Sequence, residues 1–308
     1  MHIPNNIELT KEQAKGKIDE IKQKLKNLED QGKNSNYFHE LSTLALLQIE
    51  INEFTNAEKN LQMCLKHFKL QKDTLGIAAV YGILGVLKYK SGDYNASHEY
   101  YNKAYDIYKE LHQYNEEIVC LIGMGNALIK LEQLEEACDI FLECSAKCSD
   151  RNDIYHLLDC LGNLIHIHET QEKWDVVKEL YKKTLEAFEK MKDFKGIIIS
   201  NFNLGILEKK ENNYRKALYY FETGTQRARD SNYNELIIKG LSYIGEALFY
   251  LGNIKSAKQN YVEALTYAKK VNDKNAIIQI KVILNSFGLN EHQIQKELDE
   301  LENSGDIP

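Results

Sequence analysis

A few residues of this 308-residue chain have the types and spacing of metal ligands. The run HIHE at positions 166–169 places His166 and Glu169 three residues apart, on one face of a helix, as two metal ligands can be. The corresponding positions of the neighbouring helices hold Asn126 and Ile206, so the pattern offers no third ligand. A histidine that packs or lines a surface is the better interpretation, and we expect no metal site.

The cysteines could supply a nucleophile, a metal site or a disulfide framework. His156 and Cys160 are four residues apart on one helix, close enough for a base to meet a thiol. Cys120 occupies the same repeat position as Cys160, however, and a shared position favours packing. Cys144 and Cys148 are one turn apart, but no close pair has the two-residue spacing typical of zinc and redox sites. We therefore expect cysteines that pack as small apolar residues, as in other long intracellular chains.

Other signals for catalysis or nucleic-acid binding are absent from the sequence. Close glycines such as Gly123 and Gly125 lie within helical patterns, not in phosphate-binding loops. The net charge is -7 and lysines alternate with glutamates, so no phosphate-binding surface is expected. The most apolar stretch, residues 77–87, is too short to span a membrane, and residues 1–17 lack the apolar core of a secretory signal. We expect a cytoplasmic protein that is not an enzyme, with no cofactor and no nucleic-acid or membrane partner.

The helices that carry these residues recur every 40 residues. A residue that is small in most repeats opens each second helix, at Ala57, Ser97, Ala137, Val177, Ala217 and Ala257. Twelve residues earlier, on each first helix, lie Ala45, Gly85, Gly125, Ile165, Gly205 and Gly245. Large residues such as Tyr101, Phe141 and Phe221 recur in the same frame. Because helices approach closely only where small residues make room for large neighbours, this alternation predicts closely packed antiparallel helix pairs.

The repeated pattern resembles the tetratricopeptide repeat, with Leu-Gly on one helix, an aromatic residue at the turn, then Ala and Tyr or Phe. The clearest stretches are YGILGVLKYKSGDYNASHEYYNKAYDIY and FNLGILEKKENNYRKALYYFETG. The repeat has 40 residues instead of about 34, and in this it is similar to kinesin light chains, mitotic-orientation adaptors and bacterial peptide-pheromone receptors. The resemblance implies an all-α fold, a right-handed superhelical solenoid of antiparallel helix pairs.

The repeat frame predicts three parts of the chain. Residues 1–35 are an N-terminal capping helix, residues 36–277 are six repeats, and residues 278–308 are a half repeat followed by an amphipathic capping helix. Terminal covers are expected because stacked repeats leave an apolar face at each end. The last helix, predicted over residues 291–302, could instead be a lid over the groove or a partner-binding helix.

In tetratricopeptide repeats the first helices line a concave groove, so the resemblance implies that their inner stripe binds a peptide or protein segment. Asn126, Asn163 and Asn203 form a candidate ladder whose amides could hold the backbone of an extended segment. The alternative is that these asparagines cap turns or face water. The full set of candidates is Asn126, Asn163, His166, Asn203, Lys90, Lys130, Lys210, Tyr243, Glu246 and Tyr250.

Charge and aromatic side chains add two further hypotheses about this groove. Lys90, Lys130 and Lys210 share a repeat position and would favour an acidic segment, although a lysine on a helix is usually just solvated. Tyr243, Phe249 and Tyr250 could form an aromatic wall, unless Phe249 packs under the seventh repeat. A carboxylate clamp is rejected, because its cationic positions hold Ile122, Ile199 and Asn203.

Three functions remain open at this point. The leading one is an adaptor that binds an extended or helical protein segment. The second is a structural subunit that self-associates or scaffolds a fixed complex. The third is a peptide-sensing regulator, although about 35 residues before the repeats are too few for the helix-turn-helix domain of the pheromone receptors.

Overall fold

A computed structural model of the chain describes residues 11–30 and 32–304. Within these residues every regular element is an α-helix, and consecutive helices pack as antiparallel pairs. The predicted all-α repeat architecture is therefore confirmed. The chain forms two compact units, the first ending at Ile167 and the second starting at His168, within the eighth helix.

The first unit contains seven helices and most of an eighth. They are α1 (Lys11–Asp30), α2 (Ser35–Glu50), α3 (Phe54–Gln71), α4 (Thr74–Lys90), α5 (Tyr94–Glu110), α6 (Tyr114–Lys130), α7 (Leu134–Asp150) and α8 (Ile154–Thr170). On α1 the buried Ile18, Ile21 and Leu25 belong to one core cluster with Phe38 and Leu41 of α2. The first helix is thus packed on the first repeat through its apolar face.

The second unit begins within α8 and contains seven more helices. They are α9 (Trp174–Met191), α10 (Phe194–Lys210), α11 (Tyr214–Asp230), α12 (Asn234–Tyr250), α13 (Ile254–Lys270), α14 (Lys274–Ser286) and α15 (Glu291–Ser304). Ile294 and Leu298 of α15 are each 1% exposed and share a core cluster with Ile280 and Leu284 of α14. The last helix therefore belongs to the core of this unit.

A left-handed residue recurs at the turns at intervals of 20 residues, for example at Asn52, Lys72, Gly92, His112, Glu132 and Asn152. At one such turn the Gly92 amide donates to the Tyr89 carbonyl at 3.1 Å, and the Asp93 amide donates to the Lys88 carbonyl at 2.9 Å. These bonds close the end of a helix and redirect the chain. Asp93 then caps the next helix by accepting from the Ala96 amide at 3.2 Å.

Small residues on the first helices lie against aromatic rings of the second helices. A Cβ atom at Gly125 would lie 2.6 Å from the Phe141 ring, and one at Gly245 would lie 2.8 Å from the Tyr261 ring. Real Cβ atoms do not approach so closely, so these sites require glycine if the rings keep their places. The packing explanation of the small residues is therefore confirmed at these sites.

None of the helices within residues 11–30 and 32–304 is both long and apolar enough to cross a membrane.

Candidate functional site

The predicted asparagine ladder is divided between the two units. Asn126 on α6 and Asn163 on α8 belong to the first unit, and both are half-buried. The Asn163 amide nitrogen donates to the Asp159 carbonyl at 3.0 Å, one turn earlier on its own helix. Within the part of the chain that the structure describes, the Asn126 side chain forms no hydrogen bond. The Asn126 amide therefore has more groups available for hydrogen bonds to a ligand than the Asn163 amide has.

The second unit holds the third asparagine and the first predicted aromatic residue. Asn203 on α10 is half-buried, and its side chain has no hydrogen-bond partner among the described residues. Tyr243 occupies the same repeat position on α12. The centre of its ring lies 5.6 Å from that of Phe202 and 5.0 Å from that of Phe221. Tyr243 is thus held at the edge of the core, whereas the Asn203 amide is open to a ligand.

The three candidate lysines differ in their surroundings. Lys90 forms an ion pair with Glu50 at 2.8 Å, and the Lys210 ammonium lies 3.7 Å from the centre of the Trp174 ring. Lys130 is exposed and forms no ion pair within the described part of the chain. Although the three residues share a repeat position, they do not present three equivalent free charges to an acidic segment.

Glu246 and His166 were both predicted to face the groove. The Glu246 carboxylate accepts a hydrogen bond from the Lys209 ammonium at 2.7 Å, so its charge is compensated. His166 is exposed on α8, and Glu169 accepts a hydrogen bond from the Tyr181 hydroxyl at 3.2 Å. None of His166, His168 and Glu169 belongs to a group of three or more potential metal ligands among residues 11–30 and 32–304.

The predicted aromatic wall is partly exposed. Tyr250 is 54% exposed and stacks on Tyr214, with ring centres 4.7 Å apart and planes at 10°. The ring centre of Phe249 lies 5.6 Å from that of Phe287, the residue after α14, yet Phe249 remains 46% exposed. Phe249 therefore packs against the seventh repeat and also contributes apolar surface.

One contact recurs that the sequence analysis did not identify. Trp174 and Lys210 are 36 residues apart, and so are Tyr214 and Tyr250. In both pairs the aromatic residue opens a second helix and its partner ends the first helix of the following repeat. The common offset could have been found from the repeat frame, because aromatic residues recur at the turn.

The structure also brings together three cysteines that the sequence analysis treated as packing residues. Cys144 and Cys148 lie one turn apart on α7, and Cys160 lies on α8. All three are fully buried, and their sulfur atoms lie within 4.8 Å of one another. His156 Nδ1 contacts Asp153 Oδ2 at 2.7 Å, and His156 does not belong to this group of sulfur ligands.

We call Cys144, Cys148 and Cys160 the cysteine triad. Its thiols shift one another's pKa in opposite directions. Hydrogen bonds from Cys144 and Cys160 lower the pKa of Cys148, against the effect of burial. The interaction with Cys148 raises the pKa of Cys144. The Tyr114 hydroxyl, which donates to the Lys147 carbonyl at 3.3 Å, also acts to lower the pKa of Cys148. The three thiols therefore differ in acidity although all are buried.

Comparison with known proteins supports the repeat architecture. The family model for the tetratricopeptide repeat matches residues 40–110. Among curated protein sequences, none matches the chain.

Solved structures share the fold at low sequence identity. The apo form of RapI is 18% identical with a TM-score of 0.53, and the match covers 85% of this chain and 99% of RapI. Aspartyl phosphate phosphatase F from Bacillus subtilis is 15% identical with a TM-score of 0.54, covering 86% of this chain and 74% of the phosphatase. A signal-transduction ATPase from Pyrococcus horikoshii with a tetratricopeptide-repeat sensor is 12% identical with a TM-score of 0.64, covering 86% and 42%. At these identities the similarity shows the fold alone.

Proposed function

Since the tetratricopeptide-repeat model matches residues 40–110 and solved repeat proteins share the fold, we propose that the chain binds a segment of a protein partner, in extended or helical conformation, on the first helices of its repeats. It acts as a cytoplasmic adaptor and not as an enzyme. The buried thiols of Cys64 and Cys120 suit a reducing compartment. The repeat-containing part of the Pyrococcus horikoshii protein is described as a sensor, and a role in recognition is consistent with that description.

The observation that carries this proposal is the open amide of Asn203. A half-buried amide that makes no bond within the described residues keeps two donors and an acceptor oxygen for a ligand. By contrast, Asn201 on the same helix is buried and donates to the Ile197 carbonyl at 2.9 Å. The two side chains differ as expected if Asn201 stabilises the helix and Asn203 binds the backbone of a partner.

Tyr250 supplies the apolar part of the same surface. Its ring is held by stacking on Tyr214, so little side-chain freedom would be lost when a ligand packs on its exposed half. Exposed aromatic residues of this kind commonly dominate the energy of protein interfaces. In the first unit, Lys130 would favour an acidic segment, whereas Lys90 there and Lys210 in the second unit are already engaged.

A peptide library displayed on phage, selected against the full chain, tests this function. The selected peptides are then measured by isothermal titration against the wild type and two variants, Asn203→Ala and Tyr250→Ala. Loss of the Asn203 amide should weaken binding by about 1–2 kcal/mol, or roughly 5–30-fold. Tyr219→Ala is the matched control, because Tyr219 is 64% exposed in the same unit but lies on the second helix α11.

The pattern of losses decides the outcome. Weakening by Asn203→Ala and Tyr250→Ala with no effect of Tyr219→Ala would support the proposed surface. Equal affinities for all four proteins would exclude it, and peptides that lose affinity only with Tyr219→Ala would move the binding surface to the second helices.

A structural subunit is the second candidate, and the apolar surface of α14 favours it. Ile278 and Val282 are one turn apart and are 62% and 63% exposed, and no further repeat covers them within the described residues. Exposed aliphatic side chains on the last repeat suit end-to-end association.

If the chain self-associates here, sedimentation equilibrium will show a mass that rises with concentration, and Ile278→Lys with Val282→Lys will abolish the rise. Leu70→Lys on α3, where Leu70 is 73% exposed, should leave the association unchanged.

A further inference from the structure

The cysteine triad differs from the other buried cysteines of the chain. Cys64 and Cys120 are also fully buried, but among the described residues neither belongs to a group of three potential metal ligands. The Cys64 thiol donates to the Phe38 carbonyl at 3.3 Å, which satisfies its weak hydrogen-bonding capacity. In the triad, three sulfur atoms from two helices face one another instead. Packing requires a small side chain at such positions, but it does not require three sulfur atoms in one place.

We propose that Cys144, Cys148 and Cys160 bind one thiophilic monovalent metal ion, Cu(I), in trigonal sulfur coordination. Soft thiolate ligands select soft ions such as Cu(I) over the harder cations of the cell. Sulfur atoms bound to one metal at about 2.3 Å would be about 4 Å apart in a trigonal plane. The sulfur atoms already lie within 4.8 Å of one another, so small side-chain movements suffice to close the site.

The number of ligands favours Cu(I) over Zn(II). A structural zinc ion takes four ligands in a tetrahedron, whereas Cu(I) is satisfied by three thiolates. Among the described residues, no histidine or carboxylate joins the three sulfur atoms in the group. His156, one turn before Cys160, contacts Asp153 through its Nδ1 atom and is not part of the group.

Binding must also account for the thiol protons and for charge. Each of the three cysteines binds as a thiolate, and each thiol releases its proton to solvent as its sulfur–metal bond forms. No electron is transferred in this step. Three thiolates around a monovalent ion leave two negative charges on the site.

The proposal is tested first on the unaltered full chain. The reduced protein is titrated anaerobically with Cu(I) against a chromophoric Cu(I) chelator, with time to equilibrate because the thiols are buried. We expect one ion per chain, and X-ray absorption of the loaded protein should show three sulfur neighbours. The absence of binding, or an ion bound by fewer sulfur atoms, would overturn the proposal, and neither result depends on a variant.

Variants then locate the ion. Cys148→Ser should weaken Cu(I) binding at least about 100-fold, since even loss of a residue behind a ligand can cost that much. Cys120→Ser is the matched control, because Cys120 is a buried cysteine of the same unit outside the triad, and it should leave the affinity unchanged. Circular dichroism checks that both variants keep their helices, and if Cys148→Ser does not fold, the X-ray absorption result decides.

Two further outcomes would contradict this assignment. If Zn(II) binds in four-coordinate form and His156→Gln abolishes that binding, the site is a zinc site with an imidazole ligand. If the two cysteine variants bind Cu(I) equally well, the ion lies elsewhere and the triad has only a packing role.

Discussion

The ammonium of Lys210 lies 3.7 Å from the centre of the Trp174 ring, in a cation–π contact between the end of α10 and the start of α9. The same offset along the chain joins Tyr250 to Tyr214. At both places an aromatic residue of one repeat supports the last turn of the next first helix. Lys210 therefore contributes to stability between repeats, and its charge is not simply displayed to a ligand.

We expect Lys210→Met to lower the free energy of unfolding by about 0.5–1 kcal/mol, because methionine keeps the apolar stem but removes the charge over the ring. Urea denaturation measured by tryptophan fluorescence is suited to this test, since Trp174 is the only tryptophan of the chain. Lys130→Met is the control, because Lys130 occupies the same repeat position without such a contact within the described residues. Equal effects of the two substitutions would show that the contact has no energetic value.

The fit of Gly205 against Phe221 gives a second prediction. Any Cβ atom at Gly205 would overlap the Phe221 ring, so Gly205→Leu should destabilise the protein by about 1–3 kcal/mol through overpacking. Gly162 on α8 has no atom within 4 Å of its Cβ position. Gly162→Ala should therefore stabilise by about 0.5–1 kcal/mol, as expected for alanine in a helix. Thermal and urea unfolding measure both, and a neutral Gly205→Leu would contradict the packing frame.

Much of the fold could be predicted because its physical causes recur at fixed intervals. Glycines such as Gly125 and Gly245 recur in step with the rings of Phe141 and Tyr261. Left-handed residues close the helices at intervals of 20 residues, so the length of each helix is set locally. Because the same packing arrangement recurs in each repeat, recognising it once predicts many helices.

The candidate site was less accessible to prediction, since its contacts depend on side-chain geometry. The repeat position shared by Lys90 and Lys210 gave no sign that one pairs with Glu50 and the other lies over Trp174. The role of Asn203 in binding stays a prediction.

The cysteine triad was missed for a different reason. Cys144 and Cys148 are one turn apart along the chain, whereas Cys160 lies twelve residues after Cys148 on the next helix. Only the packing of α7 against α8 brings the third sulfur to the other two.

A pH dependence follows from His168. Burial, and secondarily the charge of Lys173, lower the pKa of His168 below its usual value. The unfolded chain therefore takes up this proton at a higher pH than the folded one, and stability falls as pH falls below about 6.5. We expect His168→Gln to reduce the loss of stability between about pH 7.5 and about pH 5.5. Urea midpoints of both proteins measure the difference, and identical pH profiles would contradict the assignment.

The last prediction decides between a cap and a lid for α15. Leu298 is 1% exposed and belongs to the core of the second unit, so Leu298→Ala should lower the free energy of unfolding by about 2–5 kcal/mol. Lys296→Ala is the control on the same helix, because the Lys296 side chain is 69% exposed, and its effect should stay within about 0.5 kcal/mol. Urea denaturation measures both variants.

A helix that contributes this much to stability through a single buried side chain does not leave the core at every binding event, so the expected result would identify α15 as a cap. A lid would behave differently. In that case Leu298→Ala would change stability little and would strengthen binding of the selected peptides, because the open state would become more populated.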